Sequence, residues 1–197
     1  MLDLGCGHSD FMKEVYSGIE DVYGIDPDKK ALEKNMIIKN KIVGSADKIP
    51  FADNFFDLVI LTWVMEHLDN PDRIFREIYR VLKPEGKIIF LTPNIWNYNV
   101  WIIRVIPNIF HKSLVSYFYN RQEDDTYPKK YMLNSIRKID ETLSPIGLKK
   151  NQIILNGDPS YISFNKPLFR FACLIEKLLD RKSFNFAKVH IIGIYQK

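Results

Sequence analysis

Cysteine is scarce: the 197-residue chain carries only Cys6 and Cys173. Two isolated thiols form neither a disulfide framework nor a metal-ligand spacing, which excludes a stapled secreted scaffold and a structural zinc site. The simplest reading is a reducing, cytoplasmic compartment and no bound metal. Long apolar runs are also missing. No stretch reaches the roughly 18 residues of a membrane-spanning helix, and no signal-peptide pattern heads the chain. The charge excess is small, 28 basic against 24 acidic residues. No arginine run is interleaved with stacking aromatics, so no nucleic-acid partner is expected. Internal repeats, low-complexity tracts and linkers are absent too, which leaves one domain spanning residues 1–197.

What remains is an ordinary globular balance of 46% hydrophobic and 26% charged residues. Its pattern alternates. Residues 1–4 read as a short buried strand. Phe11, Met12, Val15 and Tyr16 recur at helical spacing up to Gly18, with Ser9 placed to cap the helix. Residues 21–26 read as a second strand, and Pro27 and Asp28 open a second helix. Ile42-Val43-Gly44 is a third strand. Residues 56–62 form a continuous apolar run of the kind buried on both faces of a parallel sheet. Asn70 and Pro71 start a helix with Ile74, Phe75, Ile78, Val81 and Leu82 on one face, and Lys87 to Thr92 is a fifth strand. Strand and helix in alternation predict a doubly wound, Rossmann-like α/β sheet.

After Asn94 the pattern changes. Residues 95–127 are aromatic and irregular. Helical spacing returns over 129–143, a sixth strand is expected near 149–155, an amphipathic helix over 166–180 and a last strand from Val189 to Tyr195. The stretch 95–147 is expected to be an inserted cap that selects the substrate.

The chemistry concentrates at the first turn. In Asp3-Leu4-Gly5-Cys6-Gly7-His8-Ser9, two glycines let a strand turn sharply with a ligand resting on bare backbone. The turn lies at the carboxyl end of a strand, where open α/β sheets bind ligands. Asp26 follows Gly5 by 21 positions, at the end of the second strand, where a carboxylate meets a ribose. A glycine turn and such an acid fit both dinucleotides and S-adenosylmethionine. The glycine spacing separates them, because position 10, where a dinucleotide fingerprint has its third glycine, is an aspartate that a pyrophosphate would repel. A nicotinamide dehydrogenase is therefore disfavoured.

Asp3-Leu4-Gly5-Cys6-Gly7-His8-Ser9 resembles the first motif of class I S-adenosylmethionine-dependent methyltransferases, in the small-molecule, type 11 branch. Gly24-Ile25-Asp26-Pro27 resembles the ribose motif. Gly44 to Phe51, with Asp53 and Phe56-Asp57, is similar to the adenine motif. Trp63 to Leu68, Arg80 to Gly86 and Thr92-Pro93-Asn94 follow in register, and several motifs in order are far more specific than one. The resemblance implies a seven-stranded sheet with an antiparallel last strand. It implies that Asp3 and the backbone of Gly5, Cys6 and Gly7 hold the methionine part, and that Asp26 and Pro27 hold the ribose. Ser45, Ala46 and Asp47 would meet adenine, and Thr62 and Trp63 would lie beside the methionine moiety. The helices that usually precede the first strand in this family are expected to be missing.

Each residue has a plainer role beside that one. Asp26 also reads as a helix cap. Asp47 reads as an exposed loop acid, and Asp57 as structural. Trp63 reads either as core or as a cation–π partner of the sulfonium. His67, one helical turn beyond the fourth strand, reads as a general base for an acceptor hydroxyl or as part of a loop ordered by Glu66-His67. His111, Tyr127 and Tyr131 are weaker candidates. The expected function is methyl transfer to a small-molecule, lipid-linked or saccharide-linked acceptor by in-line displacement; the alternative is an inactive, methyltransferase-like binding protein. Trp96 to Phe110 and Pro167 to Leu179, apolar with basic residues such as Arg104 and Arg170, read as cap surface or as a peripheral membrane contact.

Overall fold

The computed structural model describes residues 1–8, 11–99, 130–162 and 165–197. Ser9, Asp10, His111, Tyr127 and residues 100–129 of the expected cap lie outside the described residues.

Seven strands form one sheet: β1 (Leu2–Leu4), β2 (Tyr23–Asp26), β3 (Asn40–Val43), β4 (Phe56–Thr62), β5 (Leu82–Pro93), β6 (Lys149–Asn156) and β7 (His190–Gln196). Their order is β3-β2-β1-β4-β5-β7-β6. The first five pair in parallel, and β7 runs antiparallel to both β5 and β6. The expected doubly wound sheet with an antiparallel last strand is the one observed. Strand order reverses direction between β1 and β4, so the loops leaving these two strands diverge and open a crevice at their carboxyl ends.

The described helices are α1 (Lys13–Tyr16), α2 (Lys29–Lys34), α3 (Pro71–Val81), α4 (Ile136–Leu143) and α5 (Lys166–Leu179). Helix α3 shows how its sequence builds it. The Asn70 side chain accepts the Arg73 amide at 3.2 Å, Pro71 fills the first turn, and Ile74, Phe75, Ile78 and Val81 are buried. That face joins Leu2, Leu4, Val59, Leu61, Ile88 and Phe90 in the main core. On the opposite face of the helix, Arg80 donates to Asp53 and Glu77 and to the carbonyls of Ile49 and Phe51, fastening the loop that leads into β4.

Three expectations from periodicity are corrected. The helix read from Phe11 to Gly18 is a single turn, with Phe11 and Val15 exposed and Tyr16 its one buried member. The helix read over 129–143 begins only at Ile136, capped by Ser135. Before it, the amides of Lys130 and Tyr131 both donate to the Glu66 carbonyl, at 2.7 and 3.1 Å, and Tyr131 takes a left-handed φ of 51°. Tertiary bonding there overrides helical periodicity. Leu133, Ile139 and Leu143, within the region read as a cap, belong to the main core. The fifth strand starts at Leu82 rather than Lys87, because Leu82 already pairs with Phe56 before the register shifts.

That shift places Glu85 at a φ of 67°. A side chain in this region costs free energy that glycine avoids. Glu85 is exposed, and its carboxylate accepts the side-chain amide of Gln196. Glu85→Gly is expected to raise stability by about 0.5–1 kcal/mol, read from the urea midpoint at unchanged m value.

Candidate cofactor site

The crevice between the ends of β1 and β4 is a cavity of about 560 Å³. Its floor is the glycine loop. Gly5 has a φ of 76° and Gly7 one of 48°, both left-handed. A Cβ on Gly5 would lie 2.4 Å from a methyl of Val64, so the loop after β4 closes against bare backbone. A Cβ on Gly7 would meet nothing nearer than an Asp26 oxygen at 4.0 Å, which leaves that backbone open to the cavity.

Three groups pin the loop. The Gly5 amide donates to the Ile25 carbonyl at 2.7 Å. Asp26 Oδ2 accepts the Gly7 amide at 2.8 Å, and Oδ1 accepts the Asp28 amide at 2.8 Å. The same carboxylate thus orders the loop and the entry to α2, where Asp28 is the capping residue. The third group, Asn35, is not found by motif reading. It is buried; its Nδ2 donates to the Gly7 carbonyl at 2.9 Å and its Oδ1 accepts from Ile37 and Ile38.

Of the residues singled out by sequence, Gly5, Gly7, Asp26, Pro27, Ser45, Ala46, Asp47, Trp63 and His67 line this cavity. Asp3, Cys6 and Thr62 line a smaller adjoining one of about 50 Å³, which shares Gly5 and Trp63 with the first. The Cys6 sulfur points away from the loop surface, into a cluster with Tyr16, Val22, Leu32 and Ile38. It lies where a Cβ on Gly24 would be, 2.7 Å away, and burial pushes its thiol pKa up. Leu4, Ile25, Gly44, Val64 and Leu68, all within the motif segments, also line the large cavity, and Asp69, Asn70, Ile74 and Lys130, which lie outside them, complete it.

The walls divide by chemistry. Ile25, Ala46, Leu68 and Ile74 offer an apolar slot. Asp47 is held below the usual carboxylate range by a hydrogen bond from Ser45 and by Arg73, whose guanidinium lies 3.4 Å away. Asp69 pairs with Lys130 at 3.1 Å. Asp47 and Asp69 thus each face a base, while Asp26 is held by the amides of Gly7 and Asp28.

Trp63 adopts a φ of 61° directly after β4, anchored by its amide to Leu91 at 2.9 Å. Its ring meets the His190 ring edge-on, with centroids 4.8 Å apart. His67 closes a short 3₁₀ turn, Met65–His67, on the cavity wall. Its neighbour Glu66 is buried, accepts the Thr92 hydroxyl at 3.3 Å, and through its carbonyl holds residues 130 and 131. Asn134 extends this network by donating to Thr92 and to the Pro93 carbonyl.

Asp3 is buried, and its carboxylate accepts the Tyr16 hydroxyl. Burial pushes its pKa up to about 6, against the lowering effect of the Tyr16 bond, and the charge of Asp26 adds to the rise. An acid whose folded pKa exceeds its unfolded value near 4 binds its proton more tightly when folded. Stability therefore falls as pH rises from about 4 through about 6. Asp3→Asn keeps an acceptor for Tyr16 and removes the ionisation. Urea unfolding at successive pH values is expected to show a loss of roughly 2–3 kcal/mol across this window in the parent that the variant lacks.

Comparison with known proteins agrees with this geometry. Residues 2–90 match the family described as "Methyltransferase domain". A demethylmenaquinone methyltransferase of Geobacillus sp. is 33% identical over 101 residues, covering 46% of this chain and 43% of that protein. A ubiquinone/menaquinone biosynthesis C-methyltransferase of Paraburkholderia phymatum is 29% identical over 109 residues, covering 51% and 45%. The chain thus spans about half the length of these curated relatives. Among solved structures, geranyl diphosphate C-methyltransferase from Streptomyces coelicolor A3(2), in complex with geranyl diphosphate and S-adenosyl-L-homocysteine, superposes with a TM-score of 0.62 at 14% identity, covering 99% of this chain and 69% of that one. The fold is that of the class I S-adenosylmethionine-dependent methyltransferases, and residues 2–90 match the methyltransferase domain family.

Proposed function

We propose that the chain transfers a methyl group from S-adenosylmethionine to a small-molecule, lipid-linked or saccharide-linked acceptor. The cofactor, when bound, supplies a methyl group already activated on sulfur. The observation that carries this reading is Asp26, whose carboxylate sits at the cavity wall bonded to the amide of Gly7. Each of its oxygens accepts one backbone amide and retains a lone pair for a ribose hydroxyl.

The remaining residues fit the rest of the cofactor. The open backbone at Gly5, Cys6 and Gly7 would take the methionine part, with Asp3 opposite its ammonium and Thr62 and Trp63 alongside. Pro27 would cover the ribose. Ala46, with Ser45 and Asp47, would meet adenine across from Ile74. Displacement at an activated methyl needs alignment and exclusion of water more than it needs acid or base. The chain's main work is to hold donor and acceptor in line. His67 lies on the wall of the same cavity, and we assign it the role of accepting the acceptor's proton. The names of the Paraburkholderia and Streptomyces proteins give carbon as the methylated atom, which favours a carbon acceptor here.

Calorimetry with S-adenosylmethionine and S-adenosylhomocysteine tests the cofactor. Both are expected to bind, and Asp26→Ala is expected to weaken them by about 30-fold or more, the loss of charge-assisted hydrogen bonds worth roughly 2 kcal/mol. Absence of binding in the parent chain would overturn the reading. Binding without transfer to any acceptor would leave the chain a cofactor-holding partner instead. For His67, kinetics decide: His67→Gln is expected to lower kcat by about tenfold or more with cofactor affinity unchanged, and an unchanged kcat would remove the role.

A further inference from the structure

Helix α5 is amphipathic in an unusual way. Its buried face is narrow: Ala172 and Leu179 pack with Tyr98 and Val189, and Ile175 lies beside them. A second apolar strip points outward. Pro167, Phe171, Leu174 and Leu178 follow the spacing i, i+4, i+7, i+11 of one helical row, and all four are exposed. Leu174 is 66% exposed and Phe171 55%. Next to this strip runs a basic one, with Lys166, Arg170 and Lys177 at i, i+4 and i+11, all exposed. Between 166 and 188 the chain has six basic and two acidic residues. Both acids are engaged locally: Glu176 accepts the Asp158 amide at 3.0 Å and Asp180 pairs with Lys188 at 2.7 Å.

Exposed apolar side chains also occur on the segments that pack against the buried face of the helix. Phe184 and Phe186 are exposed, as are Ile95 and Trp96. Asn94 ties these two segments together. Its side-chain nitrogen donates to the carbonyls of Phe186 and Lys188, and its oxygen accepts the Trp96 amide. This surface lies at the cofactor edge of the sheet. Strand β7 is antiparallel, so His190 starts it beside Pro93, at the end where β5 finishes, and the His190 ring touches Trp63 of the cavity.

An outward apolar strip bordered by a basic strip, on a helix with neighbouring exposed aromatics, has the layout of an element lying in a membrane interface. No helix among the described residues is long and apolar enough to cross a bilayer, so the contact would be parallel to the surface. We propose that α5 and the adjoining Phe184, Phe186 and Trp96 dock this edge of the domain onto an anionic lipid surface. Phe171, Leu174 and Leu178 enter the acyl boundary, while Lys166, Arg170 and Lys177 sit against lipid phosphates. The cavity mouth then opens at the edge of the sheet that faces the membrane.

Vesicle co-sedimentation tests this without cofactor or acceptor, so its outcome is independent of methyl transfer. The chain is expected to sediment with phosphatidylcholine vesicles containing about 30 mol% phosphatidylglycerol, and about tenfold less with phosphatidylcholine alone. Raising salt to about 0.5 M is expected to release most of it. Arg170→Glu with Lys177→Glu should reduce binding at low salt, and Phe171→Ser with Leu174→Ser should reduce it at every salt concentration. All four positions are exposed, and unchanged thermal melting will show that the variants fold. Failure to sediment with the anionic vesicles would overturn the proposal. So would a concentration-dependent dimer, by analytical ultracentrifugation, that Phe171→Ser with Leu174→Ser dissolves, because the face would then be covered by a second copy of the chain.

Discussion

The site depends on one carboxylate. Asp26 ends β2, and its two oxygens hold the Gly7 amide and the Asp28 amide at once. The glycine loop has φ values that side chains avoid, so its shape is set by what grips its backbone rather than by side-chain packing. Asp26 grips the amide of Gly7 and Asn35 grips the carbonyl. Because Asp28 also caps α2, the loop, the strand end and the helix start form one hydrogen-bonded unit. A loop held in this way presents open backbone to a ligand without first having to be ordered, which lowers the entropic cost of binding.

The sheet explains why this unit has a cavity beside it. Parallel strands on both sides of the β1–β4 pair send their connections to opposite faces, and the two loops diverge. Closure comes from Val64, whose methyl occupies the space a Gly5 side chain would need. The tight passage puts Trp63 in the left-handed region, a cost that the bond to Leu91 and the contact with His190 help to offset. Strain of this kind next to a cavity fits a site where position is the chemistry: in-line transfer relies on geometry, and a rigid wall supplies it.

Much of this was legible in the sequence. The continuous apolar run at 56–62 is β4 with the same bounds, and the motif spacing from Asp3 to Asp26 marks the loop and the carboxylate that holds it. The Asn70–Pro71 signal likewise starts α3. What escaped reading depends on contacts between distant residues. Asn35 looks like any polar residue after a helix, yet it is buried under the loop. Lys130 reaches the cavity only because the Glu66 carbonyl holds its backbone, and that same bond delays α4 to Ile136. Cys6 sits within the motif, but its side chain belongs to the core because the missing Cβ of Gly24 makes room for it. His190 carries no sequence signal at all; the antiparallel pairing of β7 brings it to Trp63.

The central claim is that the cavity between the Gly5–Gly7 loop, Asp26 and the Ser45–Asp47 segment holds S-adenosylmethionine. Backbone amide chemical shifts recorded during titration with S-adenosylhomocysteine report this residue by residue. The account predicts saturable shifts at Gly5, Gly7, Asp28, Ala46 and Val64, with the far strand β6 unmoved. Shifts confined to other surfaces, or none at millimolar ligand, would contradict it.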